Sequence, residues 1–266
     1  MRDSQCWMPI YFVIGCLCFC LFATFSTICI AEDLESWQQA TLHNNRALRL
    51  EEQGKVDEAI EEYEKAIKVD PECAMAYSNL AAIYTSRALY DKAEKYYKKA
   101  IRLKPAEAFF HNNLANLFFA QRKYSHAIKE YQIAIRLDPT LAIAHSNLGA
   151  AYLKKGSTRI AQHHLLKAVE LDPQLGVAYV NLGDSYVGEA NYTQAKECFL
   201  KAQEYSPGMP DIYFSMAKMY ESEYNTELAL KNYAEFLKRV NSGEDYEEAK
   251  KRYIRLRKSL KTRKGR

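Results

Sequence analysis

The chain has 266 residues, of which 48% are hydrophobic, enough for one array of repeats or for two small globular domains. Its formal charge of +4 is unevenly spread, because residues 250–266 hold ten Lys and Arg and no acid, which leaves a mildly acidic body with a basic end. Only Cys73 and Cys198 lie beyond the first 31 residues, so the body can build neither a disulfide framework nor a CxxC metal pair.

The first predicted element is an apolar segment. Residues 10–31 contain no charged residue, and about 20 apolar residues suffice to cross a bilayer. Small residues before Glu32 also suit a signal peptidase, so residues 1–31 are predicted to be either a signal peptide or an N-terminal transmembrane anchor. Residues 32–39 are predicted to be a linker or the start of the first helix. The acids that follow the segment, with no Lys or Arg before Arg46, favour a body outside the cytoplasm, either periplasmic or secreted or on a single-pass membrane protein.

An internal repeat of 34 residues comes next. Proline returns at this interval, at Pro71, Pro105, Pro139, Pro173 and Pro207. Six units result, from 40–73 to 210–243. Apolar residues recur at helical spacing in the first half of each unit, and a proline ends the second half, so each unit is predicted to form two helices. One such unit cannot bury its apolar face alone, and the units must therefore stack.

The repeated positions resemble the signature of the tetratricopeptide repeat family. In the fourth unit this signature consists of His145, Leu148, Gly149, Tyr152, Ala161, Leu165, Ala168 and Pro173. The resemblance covers residues 40–243 and implies an all-α fold, a right-handed superhelical solenoid of antiparallel helix pairs. Apolar residues spaced 3 and 4 apart then predict a capping helix with a basic tail over 244–266.

Asparagine recurs at one position of the first helix in each unit. Numbered from the first residue of a unit, position six holds Asn45, Asn79, Asn113, Asn147 and Asn181. This position points about 180° away from the packed positions, and the resemblance implies that it faces the inner, concave surface. Because an amide has donors and an acceptor, the ladder is predicted to bind the backbone of an extended peptide. The alternative is that the amides bond neighbouring helices without touching a ligand.

Apolar residues flank these amides and are predicted to recognise side chains of the peptide. They include Phe109, Phe119, Ile143 and Leu153. The predicted function is a protein–protein interaction scaffold whose groove binds an extended or helical apolar segment of another protein.

The histidines and the known motifs give no sign of catalysis. Position four holds His43, His111 and His145, which are predicted to fill the packed face. Stacked helices lie roughly 8–10 Å apart, so histidines one unit apart cannot share a metal that needs each nitrogen at about 2.1 Å. The adjacent His163 and His164 point different ways on a helix. With no nucleophile elbow, phosphate loop or HExxH motif, we predict no metal, no cofactor and no enzymatic activity.

The basic end supports a second hypothesis, a membrane-surface or polyanion binder. Its residues are Lys250, Lys251, Arg252, Arg255, Arg257 and Lys258. They would bind anionic lipid or another polyanion in a salt-dependent way, although nucleic acid is a less expected partner outside the cytoplasm. The alternative is a solvated helix end. Residues 10–31 would add a membrane contact if they are not cleaved.

Overall fold

A computed structural model describes residues 34–264, and within this range it contains thirteen helices and no strand. Helix α1 covers residues 34–52. The others are α2 (Val56–Val69), α3 (Ala74–Ser86), α4 (Tyr90–Leu103), α5 (Ala108–Ala120), α6 (Tyr124–Leu137), α7 (Ala142–Lys154), α8 (Thr158–Leu171), α9 (Gly176–Gly188), α10 (Tyr192–Tyr205), α11 (Pro210–Ser222), α12 (Thr226–Arg239) and α13 (Glu244–Lys264). From α1 to α12 they form the six predicted pairs, so the all-α fold of helix pairs is confirmed.

The chain divides into two compact units. Unit 1 ends at Pro105 and includes α1 to α4, and unit 2 begins at Ala106 and includes α5 to α13. The boundary falls between the second and third repeats, where the 34-residue pattern is uninterrupted.

The predicted signal or anchor segment, residues 10–31, lies outside the described residues. Among the helices that the structure describes, none combines the length and the apolar character that crossing a membrane requires.

Each helix pair turns at one residue with a positive φ angle. This is position 15 of every repeat, occupied by Gly54, Ala88, Arg122, Gly156, Ala190 and Tyr224, with φ between 56° and 75°. In the third repeat, the N–H of Lys123 donates to the carbonyl oxygen of Phe118 over 2.8 Å, which closes the last turn of α5. The same bond joins Leu89 to Tyr84 after α3. A left-handed residue with this hydrogen bond ends a helix sharply and returns the chain along it.

The turn from one repeat to the next depends on aspartate and proline. The carboxylates of Asp70, Asp138 and Asp172 each accept a hydrogen bond from the backbone N–H two residues later, over 2.8 to 3.0 Å. The intervening proline has no N–H to continue the helix. These features end α2, α6 and α8 at corresponding positions.

The core within each repeat is built from one position that carries a large side chain and several that carry small ones. Position 24 is fully buried or nearly so in every repeat, as Tyr63, Tyr97, Tyr131, Leu165, Phe199 and Tyr233. Position eight of the same repeat carries alanine or glycine. A Cβ atom on Gly149 would lie 2.6 Å from Cγ of Leu165, and one on Gly183 would lie 2.5 Å from Cε1 of Phe199. Close packing at position eight therefore depends on the side chain at position 24.

Helix α13 covers the apolar face of the last repeat, as the sequence predicted. Ala249 is fully buried and joins a cluster that includes Phe214, Tyr233 and Phe236. Leu256 packs against the same cluster from the next turns of α13.

Candidate functional site

In unit 2, the amides at position six connect neighbouring first helices. The Nδ2 atom of Asn147 on α7 donates to Oδ1 of Asn112 over 3.1 Å and to Oδ1 of Asn116 over 3.2 Å, both on α5. Asn181 on α9 donates to Oγ of Ser146 on α7 over 3.4 Å. These bonds use the donors of the ladder to hold the repeats together.

The two amides of unit 1 differ from each other. Asn79 on α3 donates to the buried Oδ1 of Asn44 on α1 over 3.1 Å. Asn45 is exposed, and its side chain makes no hydrogen bond within the part of the chain that the structure describes. Asn45 is therefore free to bind a ligand without giving up a contact between repeats.

The hydrogen-bond partners of the amides at position six lie at position five, which was not predicted as part of the site. It supplies the acceptors Asn44, Asn112 and Ser146 to amides of the following repeats. The signal was present in the sequence, because Asn and Ser alternate at position five over the first four repeats. Asn113 belongs to the same network, since its Oδ1 accepts from Nδ2 of Asn112 over 3.4 Å.

The apolar residues predicted for the groove are unequally accessible. Phe109 is 41% exposed, whereas Phe119, Ile143 and Leu153 are half-buried. The ring of Phe119 packs against Tyr124 at 5.4 Å, and Leu153 packs on the cluster around Leu182. In unit 2, Phe109 is thus the predicted residue most available to a partner.

Unit 1 contains an open cavity of about 1060 Å³ between α1 and the start of α3. Its walls include Trp37, Asn45, Met75 and Lys104. Trp37 is 56% exposed and Met75 42% exposed, so apolar surface lies beside the unpaired amide. Trp37 was not predicted as a site residue, because it precedes the first repeat and the 34-residue pattern gives no signal for it.

In unit 2, α9 and α11 carry charged residues at position nine. Asp184 and Lys218 both occupy position nine. Burial raises the pKa of the Asp184 carboxyl, while the charge of Lys218 and a hydrogen bond from Ser215 act in the opposite direction. Position nine of unit 2 therefore changes from Asn116 and Ala150 on α5 and α7 to charged residues on α9 and α11.

The basic residues of α13 fall into two groups. Arg252 and Arg255 both form ion pairs with Glu221 on α11, that of Arg252 over 3.1 Å. The remaining predicted residues, Lys250, Lys251, Arg257 and Lys258, are exposed. Two of the six residues proposed for polyanion binding thus form ion pairs inside the chain, and the other four are exposed.

The histidines at position four pair with position 23 of the same repeat. Nδ1 of His43 lies 2.7 Å from Oε2 of Glu62, and Nδ1 of His111 lies 2.8 Å from Oε2 of Glu130. The fourth repeat has two histidines in these positions. The constant spacing of 19 residues between positions four and 23 is the sequence signal for this pairing, which was not predicted.

Sequence profiles of known families match most of the repeat region. Profiles described as tetratricopeptide repeat or TPR repeat match residues 44–108, 115–156, 142–175 and 177–208. The chain belongs to the tetratricopeptide repeat (TPR) family. A comparison with curated proteins found no match.

Solved structures share the fold of this TPR chain. PilW, a type IV pilus biogenesis factor, is 22% identical with a TM-score of 0.65, over 79% of this chain and 97% of PilW. Pseudomonas aeruginosa PilF is 17% identical with a TM-score of 0.64, over 82% of this chain and 99% of PilF. Cut9, in an APC/C complex with Hcn1, is 18% identical with a TM-score of 0.72, over 81% of this chain and 43% of its own. At these identities the likeness describes the fold alone.

Proposed function

We propose that this TPR chain is a non-enzymatic scaffold that binds a segment of another protein on its inner positions. TPR repeats are in general a protein-interaction fold, and that supports a protein partner without naming it. The observation that carries the proposal is the unit 1 cavity, where the unpaired Asn45 lies beside the exposed Trp37 and Met75. An amide binds peptide backbone, and the apolar surface around it binds a large side chain.

Unit 2 offers a similar combination with one difference. Asn147 already uses both hydrogens of its Nδ2, so the group that it can offer to a peptide is its Oδ1 acceptor. Phe109 supplies exposed apolar surface on α5, the helix to which Asn147 is bonded. A peptide on this face would therefore donate backbone N–H groups and insert an apolar side chain beside Phe109.

A photo-crosslinking residue at Met75, in the full-length chain in its native cell, tests the proposal. The matched control places the probe at Leu166, which is exposed on α8, a second helix of a pair. We expect a discrete protein to be captured at Met75 and to be lost when Asn45 is changed to Ala. Equal capture at Leu166, or capture unaffected by N45A, would contradict the proposal.

The proposal includes delivery of the scaffold to or across a membrane. The composition of residues 10–31 supports this, either as a cleaved signal or as a retained anchor. Intact mass of the purified native protein distinguishes the two, because cleavage near Glu32 removes the first 31 residues. Full-length protein that is recovered in the cytosol after fractionation would contradict this part of the proposal.

The exposed cations of α13 support a second candidate function, binding to an anionic membrane surface. Changing Lys250, Lys251, Arg257 and Lys258 to Gln removes these charges and leaves Arg252 and Arg255 paired with Glu221. Vesicles with phosphatidylserine, compared with neutral vesicles at low and high salt, provide the measurement. Salt-sensitive binding that the fourfold variant loses supports this function, and equal binding by both chains contradicts it.

A further inference from the structure

Two histidines face each other between the helices of the fourth repeat. His145 on α7 and His164 on α8 place their Nδ1 atoms 3.3 Å apart. The ring centres are 5.5 Å apart, so the two nitrogens lie on the edges by which the rings approach. The two side chains project from the paired helices of one repeat and meet between them, unlike the histidines at position four of different repeats.

The hydrogen bond at Nε2 of His145 determines which of its two ring nitrogens carries the proton. Its Nε2 lies 3.3 Å from the carbonyl oxygen of Pro139, which can only accept, so Nε2 carries the proton and Nδ1 the lone pair. A ring N–H donated to a backbone carbonyl, with the other nitrogen free, is the usual state of a metal-binding histidine. Burial lowers the pKa of both imidazoles, to about 4 for His164.

The distance between the two nitrogens selects a coordination geometry. Two nitrogens that each lie about 2.05 Å from a tetrahedral ion are roughly 3.3–3.4 Å apart. Neighbouring ligands of a square or octahedral ion at a similar distance are only about 2.9 Å apart. The same 3.3 Å also permits an N–H···N hydrogen bond between the two rings, so zinc binding has to be measured directly.

The ring of His164 also packs against a tyrosine. Tyr152 stacks on it with the ring centres 5.9 Å apart and the planes 4° from parallel. The Tyr152 hydroxyl accepts a hydrogen bond from Nε2 of Gln132 over 3.2 Å. A ligand whose ring is fixed in this way loses little freedom when a metal binds.

We propose that His145 and His164 bind one Zn²⁺ ion in a tetrahedral site inside the fourth repeat. Over the described residues there is no group of three or more His, Cys, Asp or Glu suited to a metal, so this part of the chain supplies two ligands. The other two positions are filled by water or by a donor from a bound molecule.

Zinc titration of the full-length chain, without a histidine tag, tests the site by comparing wild type with His145→Tyr. Tyrosine occupies position four in repeats 2, 5 and 6, so the fold accepts this substitution. Because cysteine thiolates bind zinc and residues 1–31 contain five cysteines, the measured quantity is the difference between the two chains. We expect one equivalent fewer, or binding at least about tenfold weaker, since even outer-shell partners contribute about 10–100-fold.

A second variant and a control complete the experiment. His164→Tyr places at position 23 the residue that Tyr96 supplies in repeat 2, and it is expected to lose the same equivalent. His163→Ala removes the exposed neighbour and is expected to keep it, with folding checked by circular dichroism. Unchanged zinc binding in both tyrosine variants would overturn the site and leave an N–H···N hydrogen bond between the rings. An equal loss in His163→Ala would overturn the assignment to these two ligands.

Discussion

The Nδ2 atom of Asn147 lies 3.1 Å from Oδ1 of Asn112, and this hydrogen bond joins α7 to α5 inside unit 2. Asn112 is 2% exposed, so its oxygen cannot turn to water when the bond is lost. An amide that the sequence suggested as a ligand contact therefore also holds two repeats together. The same geometry recurs in unit 1 between Asn79 and Asn44.

Changing Asn147 to Ala is expected to lower the free energy of unfolding by about 1–2 kcal/mol. A buried acceptor without a partner costs about 1–3 kcal/mol, and the better helix propensity of Ala offsets about 0.5 kcal/mol of this. The midpoint of urea unfolding, followed by circular dichroism, measures the effect. Asn45→Ala is the matched control and is expected to leave the midpoint unchanged or slightly raised. Equal midpoints for the two variants would show that the bonds between repeats contribute nothing to stability.

Gly149 is expected to tolerate no larger residue because of its partner at position 24. Its added Cβ would lie 2.6 Å from Cγ of Leu165, and Gly149→Ala should therefore destabilise unit 2 by about 1–3 kcal/mol. Gly188→Ala is the control, because nothing lies within 4 Å of its Cβ. There, removing a helical glycine is expected to be neutral or to stabilise by up to about 1 kcal/mol. Thermal melts of both variants provide the comparison, and similar losses would contradict the packing argument.

Tyr224 occupies a conformation that favours glycine. Its φ angle is 60°, and its side chain is 91% exposed, so it forms few contacts that could offset the backbone strain. Tyr224→Gly is expected to stabilise the chain by about 1 kcal/mol, the approximate cost of a left-handed L-residue. The reverse change, Gly156→Ala at the same position of the fourth repeat, should destabilise it. Denaturant unfolding of both variants checks the signs, and a loss of stability in Tyr224→Gly would contradict this account.

The fold could be predicted from the sequence because one periodicity determines it. The repeated prolines mark the ends of second helices, and position 24 marks the core, so both could be located without coordinates. The helix pairs and the capping role of α13 follow from this pattern and are confirmed. The boundary after Pro105 could not be foreseen, since it interrupts no sequence feature.

The candidate site was less predictable, because the pairing of side chains depends on their distances in space, which the spacing of residues along the sequence does not determine. The direction of position six could be calculated, but its bonding to position five of the preceding repeat could not be separated from ligand binding. The pairing of His145 with His164 crosses from one helix to the next, where helical angles on a single helix give no information. Trp37 precedes the first 34-residue repeat, so the periodicity gives no information about it.

Glu221 links the capping helix to the last repeat and makes this contact sensitive to acid. Burial alone would raise the pKa of its carboxyl, but hydrogen bonds from Tyr233 and Arg252, with the charges of Arg252 and Arg255, hold the pKa below its ordinary value of 4.5. The Tyr233 hydroxyl donates to it over 2.9 Å. The unfolded chain therefore binds this proton at a higher pH than the folded chain does. The stabilisation is fully present above about pH 4.5 and is lost as the pH falls through the lowered value.

Glu221→Gln is accordingly expected to reduce stability by about 1.5–3 kcal/mol at pH 7, the usual contribution of hydrogen bonds to a charged group. The difference from wild type should shrink as the pH falls below 4.5, because the wild-type carboxyl then becomes neutral as well. Thermal melts of the two chains between pH 7 and pH 3 measure this difference, and other carboxyl groups cancel because both chains carry them. A difference that stays constant over this range would show that the charge of Glu221 does not hold α13 in place. A difference that grows in acid would reverse the sign of the linkage and contradict the lowered pKa.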